Sequence, residues 1–274
     1  DYQRYFSQAG KPWRLGTSLH QAELCDRLQS QFPPLSTVAE VLGAATVGEA
    51  YAMQSLIADE ACPATTDLKL INSGTIDRYC DLWGQKCLRY LGHTYRYPTI
   101  PTTQQTHLPQ KRQHQACQPK IIVAGMSQVL ECVVDVTGAF LAAKSTVIVL
   151  SSLNLYYLLA LLNSKLISFY YRHLFGGDCF KGGYLRIGPQ QLRSLPICPT
   201  DRSSSSQSSE RLVELVQRLL ALQQQLRLAA TLPHQQQLQQ GIHSIEQQID
   251  QSVYKLYELT EEERCLMEKT KALS

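Results

Sequence analysis

Several absences narrow this chain before any motif is considered. No apolar run approaches the roughly 18–20 residues that a bilayer crossing needs. The longest, residues 153–162, is interrupted by Asn154 and closed by Asn163, and so reads as a buried helix. The first ten residues are polar and carry no secretory signal. The chain opens on Asp1 rather than Met, which reads as a piece of a longer or processed protein. Its nine cysteines are odd in number and no two stand at C-x-x-C spacing. A structural zinc site needs paired ligands at close spacing. The cysteines are therefore read as reduced thiols of a cytoplasmic protein. No G-x-x-x-x-G-K-[ST] phosphate loop and no G-x-S-x-G nucleophile turn occurs.

Acidic residues are missing where basic ones gather. Residues 82–130 contain none, yet hold Lys86, Arg89, Arg96, Lys111, Arg112 and Lys120, with His93, His107 and His114. A second acid-free window, 136–177, holds Lys144, Lys165 and Arg172, and a third, 179–200, holds Lys181, Arg186 and Arg193. The net charge of +3 understates this clustering. Runs of unbalanced positive charge are the footprint of a polyanion partner, unless acids from elsewhere in the fold neutralise them.

At 44% apolar residues, the chain has enough material for a real core. It divides into a lead-in helix and linker (1–34, broken by Pro33-Pro34), a strand-rich body (35–199), a Ser-rich linker (200–209) and a helical region (210–274). Strands are expected at 37–42, 68–72, 87–91, 120–124, 129–136 and 146–150. A helix follows, with Leu155, Leu158, Leu159, Leu162 and Leu166 at helical spacing and Asn154 at its N-cap. Residues 97–119, with four prolines and much Gln and Thr, read as a long polar loop. Two leucine and isoleucine stripes, 212–226 and 238–256, flank Thr231-Leu232-Pro233 and predict an antiparallel helical hairpin. Thr260 and Glu263 have capping-box spacing and start a last short helix. The fold class is therefore α/β (α+β), with mixed strands and a buried helix, followed by an α-helical hairpin.

Catalytic constellations are thin. Asp135 followed by Ala142-Ala143-Lys144 echoes a nuclease D…ExK site, but Ala142 stands where the second acid belongs. Cys179 near His173 could form a nucleophile pair, without an orienting third group. The loop histidines show no metal-ligand spacing. What remains is binding. Residues 176–183 (GGDCFKGG) form a Gly-rich basic loop in which backbone could approach a phosphate and Lys181 neutralise it. Residues 43–48 (GAATVG) form a second Gly-spaced loop after a strand. Tyr79, Trp83, Tyr90, Tyr95 and Tyr97 interleave with Arg78, Lys86, Arg89 and Arg96, a pattern that suits nucleic-acid surfaces or, in part, a core.

The order of these segments resembles a known family. Pro12-Trp13 and the first helix lead to Gly43-x-x-Thr46-x-Gly48-x-x-Tyr51, with Glu49 and Ala50 where the family commonly has Asn. Residues 68–79 (LKLINSGTIDRY), the strand KIIV at 120–123 followed by Asp135, the run YLLALLNSKLISFYY at 157–171, and the later Leu195-Pro196-Ile197 keep the family's order. Residues 253–263 resemble the tail that follows such domains. Together these features resemble the TaqI-like target-recognition domain of N6-adenine DNA methyltransferases and single-chain restriction–modification enzymes.

The resemblance implies a module that docks double-stranded DNA, reads base edges and positions an adenine for a separate methyltransferase catalytic domain. That domain would hold S-adenosylmethionine; this chain lacks the Gly-rich cofactor loop and the Asn/Asp-Pro-Pro-aromatic tetrapeptide, and is expected to bind no cofactor or metal and to do no catalysis itself. Expected DNA contacts are Thr46 and Gly48 in the Gly-spaced loop, Lys86, Arg89, Arg96, Lys111, Arg112 and Lys120 in the first basic window, and Lys181 and Arg186 on the Gly-rich side. The alternative is a protein-assembly module working through the C-terminal hairpin.

Overall fold

The computed structural model describes residues 19–200 and 206–269. Pro12-Trp13 and residues 201–205 of the Ser-rich linker lie outside the described residues, and residues 206–209 are already helical. The chain runs through α1 (Leu19–Gln31), β1 (Ala39–Gly43) and α2 (Val47–Gln54) into β2 (Ala58–Asp59) and β3 (Leu68–Ile71). A short ribbon, β4 (Ile76–Asp77) with β5 (Cys80–Asp81), precedes the hairpin β6 (Leu88–Tyr90)–β7 (His93–Tyr95). Next come β8 (Pro98–Ile100), α3 (Gln110–Ala116), β9 (Lys120–Ala124), β10 (Met126–Ser127), β11 (Cys132–Asp135), β12 (Phe140–Ala142) and β13 (Thr146–Ser151). The helices α4 (Leu155–Leu162) and α5 (Lys165–Phe175), β14 (Leu185–Arg186), α6 (Pro189–Arg193), α7 (Ser206–Leu228), α8 (Leu232–Leu256) and α9 (Glu261–Lys269) complete it.

Two four-stranded sheets stack. The first, in the order β1-β13-β9-β11, is antiparallel throughout. The second, β12-β3-β8-β2, contains the parallel pair β12–β3. Strand alternation then sorts the side chains into layers. On β9, Ile121 and Val123 face the helices, whereas Ile122 and Ala124 face the second sheet, meeting Ile71 and Ala142. Leu68 and Leu70 of β3 point the other way, onto Ala50, Met53, Leu88 and Tyr90. The order of layers is helices, sheet, sheet, then α2, α3 and the β6–β7 hairpin. The chain is thus of the mixed α+β class, with a helical pair behind it.

The helix expected from the leucine run is two helices. Ser164 caps α5 by accepting the Ile167 amide, and Asn163 is committed elsewhere: its side chain accepts the Cys132 amide and donates to the Cys132 carbonyl, both at 2.9 Å. All of α4 from Tyr157 to Leu162 is buried. α7 and α8 pack antiparallel and share one core with α4, Leu212, Val216, Ile249 and Val253 joining it. Thr260 and Glu263 form the expected reciprocal cap of α9, and Glu263 also takes a two-pronged bond from Arg27 of α1.

Between body and helical pair lies a cavity of about 390 Å³. Arg78 enters it, donating to the Asn163 carbonyl (3.0 Å) and lying 3.9 Å from Glu246 of α8. Burial, reinforced by Asp77 and partly offset by Lys86 and Arg78, pushes Glu131 up to about 7. Farther along, Arg227 of α7 pairs with Asp81 at 2.8 Å.

Residues 97–119 are structured rather than a long loop. β8 pairs with β2 and β3, and a 3-10 turn (Thr102–His107) and α3 follow, each entered through a proline, Pro101 or Pro109. Asp67 fixes the start of this stretch, accepting from the Thr102 amide (2.7 Å) and hydroxyl (2.9 Å). Burial alone raises the pKa of Asp67, but bonds from Thr102 and the Ala64 amide outweigh it and hold the group below its ordinary value.

Candidate nucleic-acid interface

The outer layer is built around α2. The Gly-spaced segment after β1 is a helix start rather than an open loop. The Thr46 amide donates to Glu49 (2.7 Å) and the Glu49 amide to the Thr46 hydroxyl (3.3 Å), a reciprocal cap. Arg112 of α3 donates to Glu49 (3.1 Å) and to the Gly43 carbonyl (2.9 Å). The Thr46 amide first, with Arg112 behind it, holds the Glu49 carboxyl below its ordinary range. On the other side, the Tyr90 hydroxyl donates to the Ala50 carbonyl (3.2 Å) and Gln54 to the Leu91 carbonyl (3.3 Å). The helix is thereby clamped between α3 and the β6–β7 hairpin. That hairpin turns on Leu91 and Gly92, at φ 47° and 87°, the doubly left-handed geometry whose twist matches that of its strands.

Two expected DNA contacts are corrected by this geometry. Lys120 has no exposed side-chain surface: its ammonium donates to Asp135 (2.5 Å) and to the carbonyls of Ala116 (2.6 Å) and Gln118 (3.2 Å). All three of its donors are used inside the protein. Arg112 is only 5% exposed and is spent on Glu49, Gly43 and Gln115. Both residues sit in an acid-free window, but their carboxylates come from outside it. Asp135 in turn accepts from the amides of Gly138, Ala139 and Phe140 and so shapes the turn between the two sheets. This role also accounts for the residue that echoed a nuclease acid.

The other expected residues are exposed. Thr46 and Gly48 lie at the start of α2, Lys86 precedes β6, Arg89 sits on it, Arg96 leads into β8, and Lys111 is on α3. Asp59 receives the backbone amide of Arg96, leaving the guanidinium at the surface beside Tyr97. Of the interleaved aromatics, Tyr79 and Tyr90 are core residues, whereas Trp83 donates to the Pro98 carbonyl and carries Lys69 over its ring at 4.8 Å.

Lys181 and Arg186 are exposed in a separate segment. Their loop turns on Gly182 and Gly183, at φ 87° and 75°, with Phe180 bridged to Tyr184. Gln128 donates to the Gly182 carbonyl (3.0 Å), and Arg172 binds the carbonyls of Gln128 and Gly183. His173, the possible partner of Cys179, stacks on Phe169. Arg186 lies opposite Met126 in the β10–β14 ribbon.

A hydrogen-bonded knot joins the two basic regions. The Gly125 amide donates to the Ser145 carbonyl and to the Ser73 hydroxyl, both at 2.9 Å, and its own carbonyl accepts the Ile187 amide (3.0 Å). Ser73 donates to the Ser145 carbonyl, and the neighbouring Asn72 donates to the carbonyl of Arg89 (2.9 Å). Gly125 is required here, since a Cβ would stand 2.3 Å from the Ser145 oxygen. Arg89 and Arg186 therefore flank one rigid junction. Exposed Lys144, next to Ser145, sits at the same junction. Its sequence neighbourhood gave no sign of this, because only the pairing of distant segments places it there.

Residues 69–197 match the family model of the TaqI-like C-terminal specificity domain. That stretch is similar to TaqI-like specificity domains. No curated protein matches the chain. The matched segment begins on β3, ends on Ile197, and contains the junction and every exposed cation named above, whereas Thr46 and Gly48 at the start of α2 precede it. Such a domain serves DNA target recognition in restriction–modification systems. Among the described residues, no cluster of three or more His, Cys, Asp or Glu could hold a metal, and no helix is long and apolar enough to cross a membrane.

Proposed function

We propose that this chain is the sequence-specific DNA recognition module of an N6-adenine DNA methyltransferase of a restriction–modification system, acting in the cytoplasm. It positions the target adenine for a separate catalytic domain, in the same polypeptide or a partner subunit, and that domain binds S-adenosylmethionine. The observation that carries this reading is the specificity-domain match over residues 69–197. The exposed cations support it: Lys86, Arg89, Arg96 and Lys111 around the outer layer, with Lys181 and Arg186 beyond the junction, meet phosphates, whereas base edges supply specificity. The recognition unit runs over 35–199, and the helical region 210–274 braces it.

Selection from a pool of random duplexes, at low and moderate salt, tests this. An enriched short motif is expected, with affinity falling steeply as salt rises. Replacing Arg89 with Ala lowers the salt slope by about 1 without changing the motif. Salt-sensitive binding without enrichment leaves specificity to the catalytic partner. No binding at low salt favours the assembly reading, which one observation supports: the tip of the helical pair exposes Leu228 and Leu232, at 85% and 72%.

A further inference from the structure

The outward face of α2 has no role in the fold. Ala50 and Met53 are its buried residues; Val47, Gly48, Tyr51 and Ala52 are exposed on one side. Val47 is 55% and Tyr51 61% exposed, among the large apolar side chains most open to solvent in the described chain. This face bears no charge, and the one nearby carboxylate, Glu49, is taken up by Thr46 and Arg112. Gly48 is the telling residue. It is not left-handed, and a Cβ added to it would meet nothing within 4 Å. Alanine would fit and would favour the helix. The fold therefore does not require glycine there; what glycine provides is a bare stretch of backbone at the surface, useful where another molecule comes close. The elements that clamp α2 on either side carry exposed cations, Arg89 on β6 and Lys111 on α3.

We propose that α2 is the base-reading element of this chain. Its Val47–Gly48–Tyr51 face lies in the DNA major groove against thymine methyl groups, while Arg89 and Lys111 hold flanking phosphates. The inference rests on the DNA-recognition reading above. The major groove admits an α-helix, and the thymine C5 methyl is the apolar feature of base edges there, so an uncharged apolar face selects for it. Cations at the flanks set register without carrying sequence information. Clamping on both sides means the helix needs little ordering on binding.

The test uses the full chain and the duplex enriched from the random pool, with each thymine replaced in turn by deoxyuridine, which lacks only the methyl group. The wild-type chain should lose affinity on the order of 5–10-fold at one or more of these positions. Val47→Ala and Tyr51→Ala should bind the thymine duplex more weakly by a similar factor. They should no longer distinguish thymine from uracil there, with binding to unrelated duplexes unchanged within about twofold. Gly48→Ala should weaken binding to the enriched duplex while leaving the melting temperature unchanged or raised, which separates a contact from a folding defect. An enriched site without thymine, or uracil substitutions that cost the same in wild type and both variants, overturns the role of α2 and leaves its face to a protein partner. A wild-type chain that enriches no motif overturns the recognition reading itself, and this inference with it.

Discussion

Two polar clusters in this molecule are built from the same residue types and behave differently. Around Lys120 and Asp135 every charge is dry and every donor is placed: the two side chains are 0% and 1% exposed and meet at 2.5 Å. Around Arg78, between body and helical pair, the partners stand apart. Glu246 lies 3.9 Å from Arg78, and the Lys165 ammonium lies 3.7 Å from Asp250, which does accept the Lys165 amide at 2.9 Å; among the described residues no hydrogen bond reaches the Glu131 carboxylate. The first cluster locks one strand order and one turn. The second joins the body to the helical pair through longer side-chain contacts, with most of the attachment left to the shared apolar core. Burial of a charge is thus tolerated where the backbone supplies many partners and left loose where it does not.

The comparison is broken most severely at Asp135. Asp135→Ala strands the buried Lys120 ammonium and several turn amides, and should cost about 3–5 kcal/mol in a urea melt. A loss under 1 kcal/mol would mean that the cluster is as loose as its counterpart. A smaller, pH-dependent effect is expected at Glu131. Its carboxyl is raised from an ordinary 4.5 to about 7, so the folded chain holds this proton more tightly than the unfolded chain. The stabilisation is complete below about pH 4.5 and is lost as pH rises through about 7. Glu131→Gln should therefore raise stability by about 1–2 kcal/mol at pH 8, after allowance for solvent screening, with the gain shrinking towards pH 5. Equal gains at both pH values would contradict this. The smallest effect belongs to the rim: Arg227→Ala removes a partly exposed pair with Asp81 and should cost at most about 1 kcal/mol by thermal melting, without altering duplex selection.

Much of the scaffold was legible because its signals are local. The β-branched run 120–124 is a strand of those bounds, the two leucine and isoleucine stripes pack as an antiparallel pair, and the Thr260–Glu263 spacing is a working cap. What the sequence hid depends on distant partners. α3 has the sequence QKRQHQA, with no apolar period, and it is held by Arg112 reaching Glu49 across 63 positions. The charge windows misled at Arg112 and Lys120 for the same reason, since absence of acid nearby in sequence says nothing about acid nearby in space. The outward face of α2 was partly visible as the Thr46–Gly48 motif. Val47 and Tyr51 read as ordinary apolar residues until burial of Ala50 and Met53 fixed which side faces solvent.

The register of the first sheet has a consequence for how the protein is made. Among the described residues β1 pairs only with β13, Ala39 against Ser151 and Gly43 against Val147, while β13 sits between β1 and β9. During synthesis, β1 emerges more than a hundred residues before its partner (151 − 39 = 112) and has no place in the sheet until β13 arrives. Such long-range closure slows folding and favours late, all-or-none assembly. A nascent chain stopped short of β13 would present β9 and β11 as a bare two-strand edge, so truncated products should be targets for chaperones and proteases rather than partly active DNA-binding fragments.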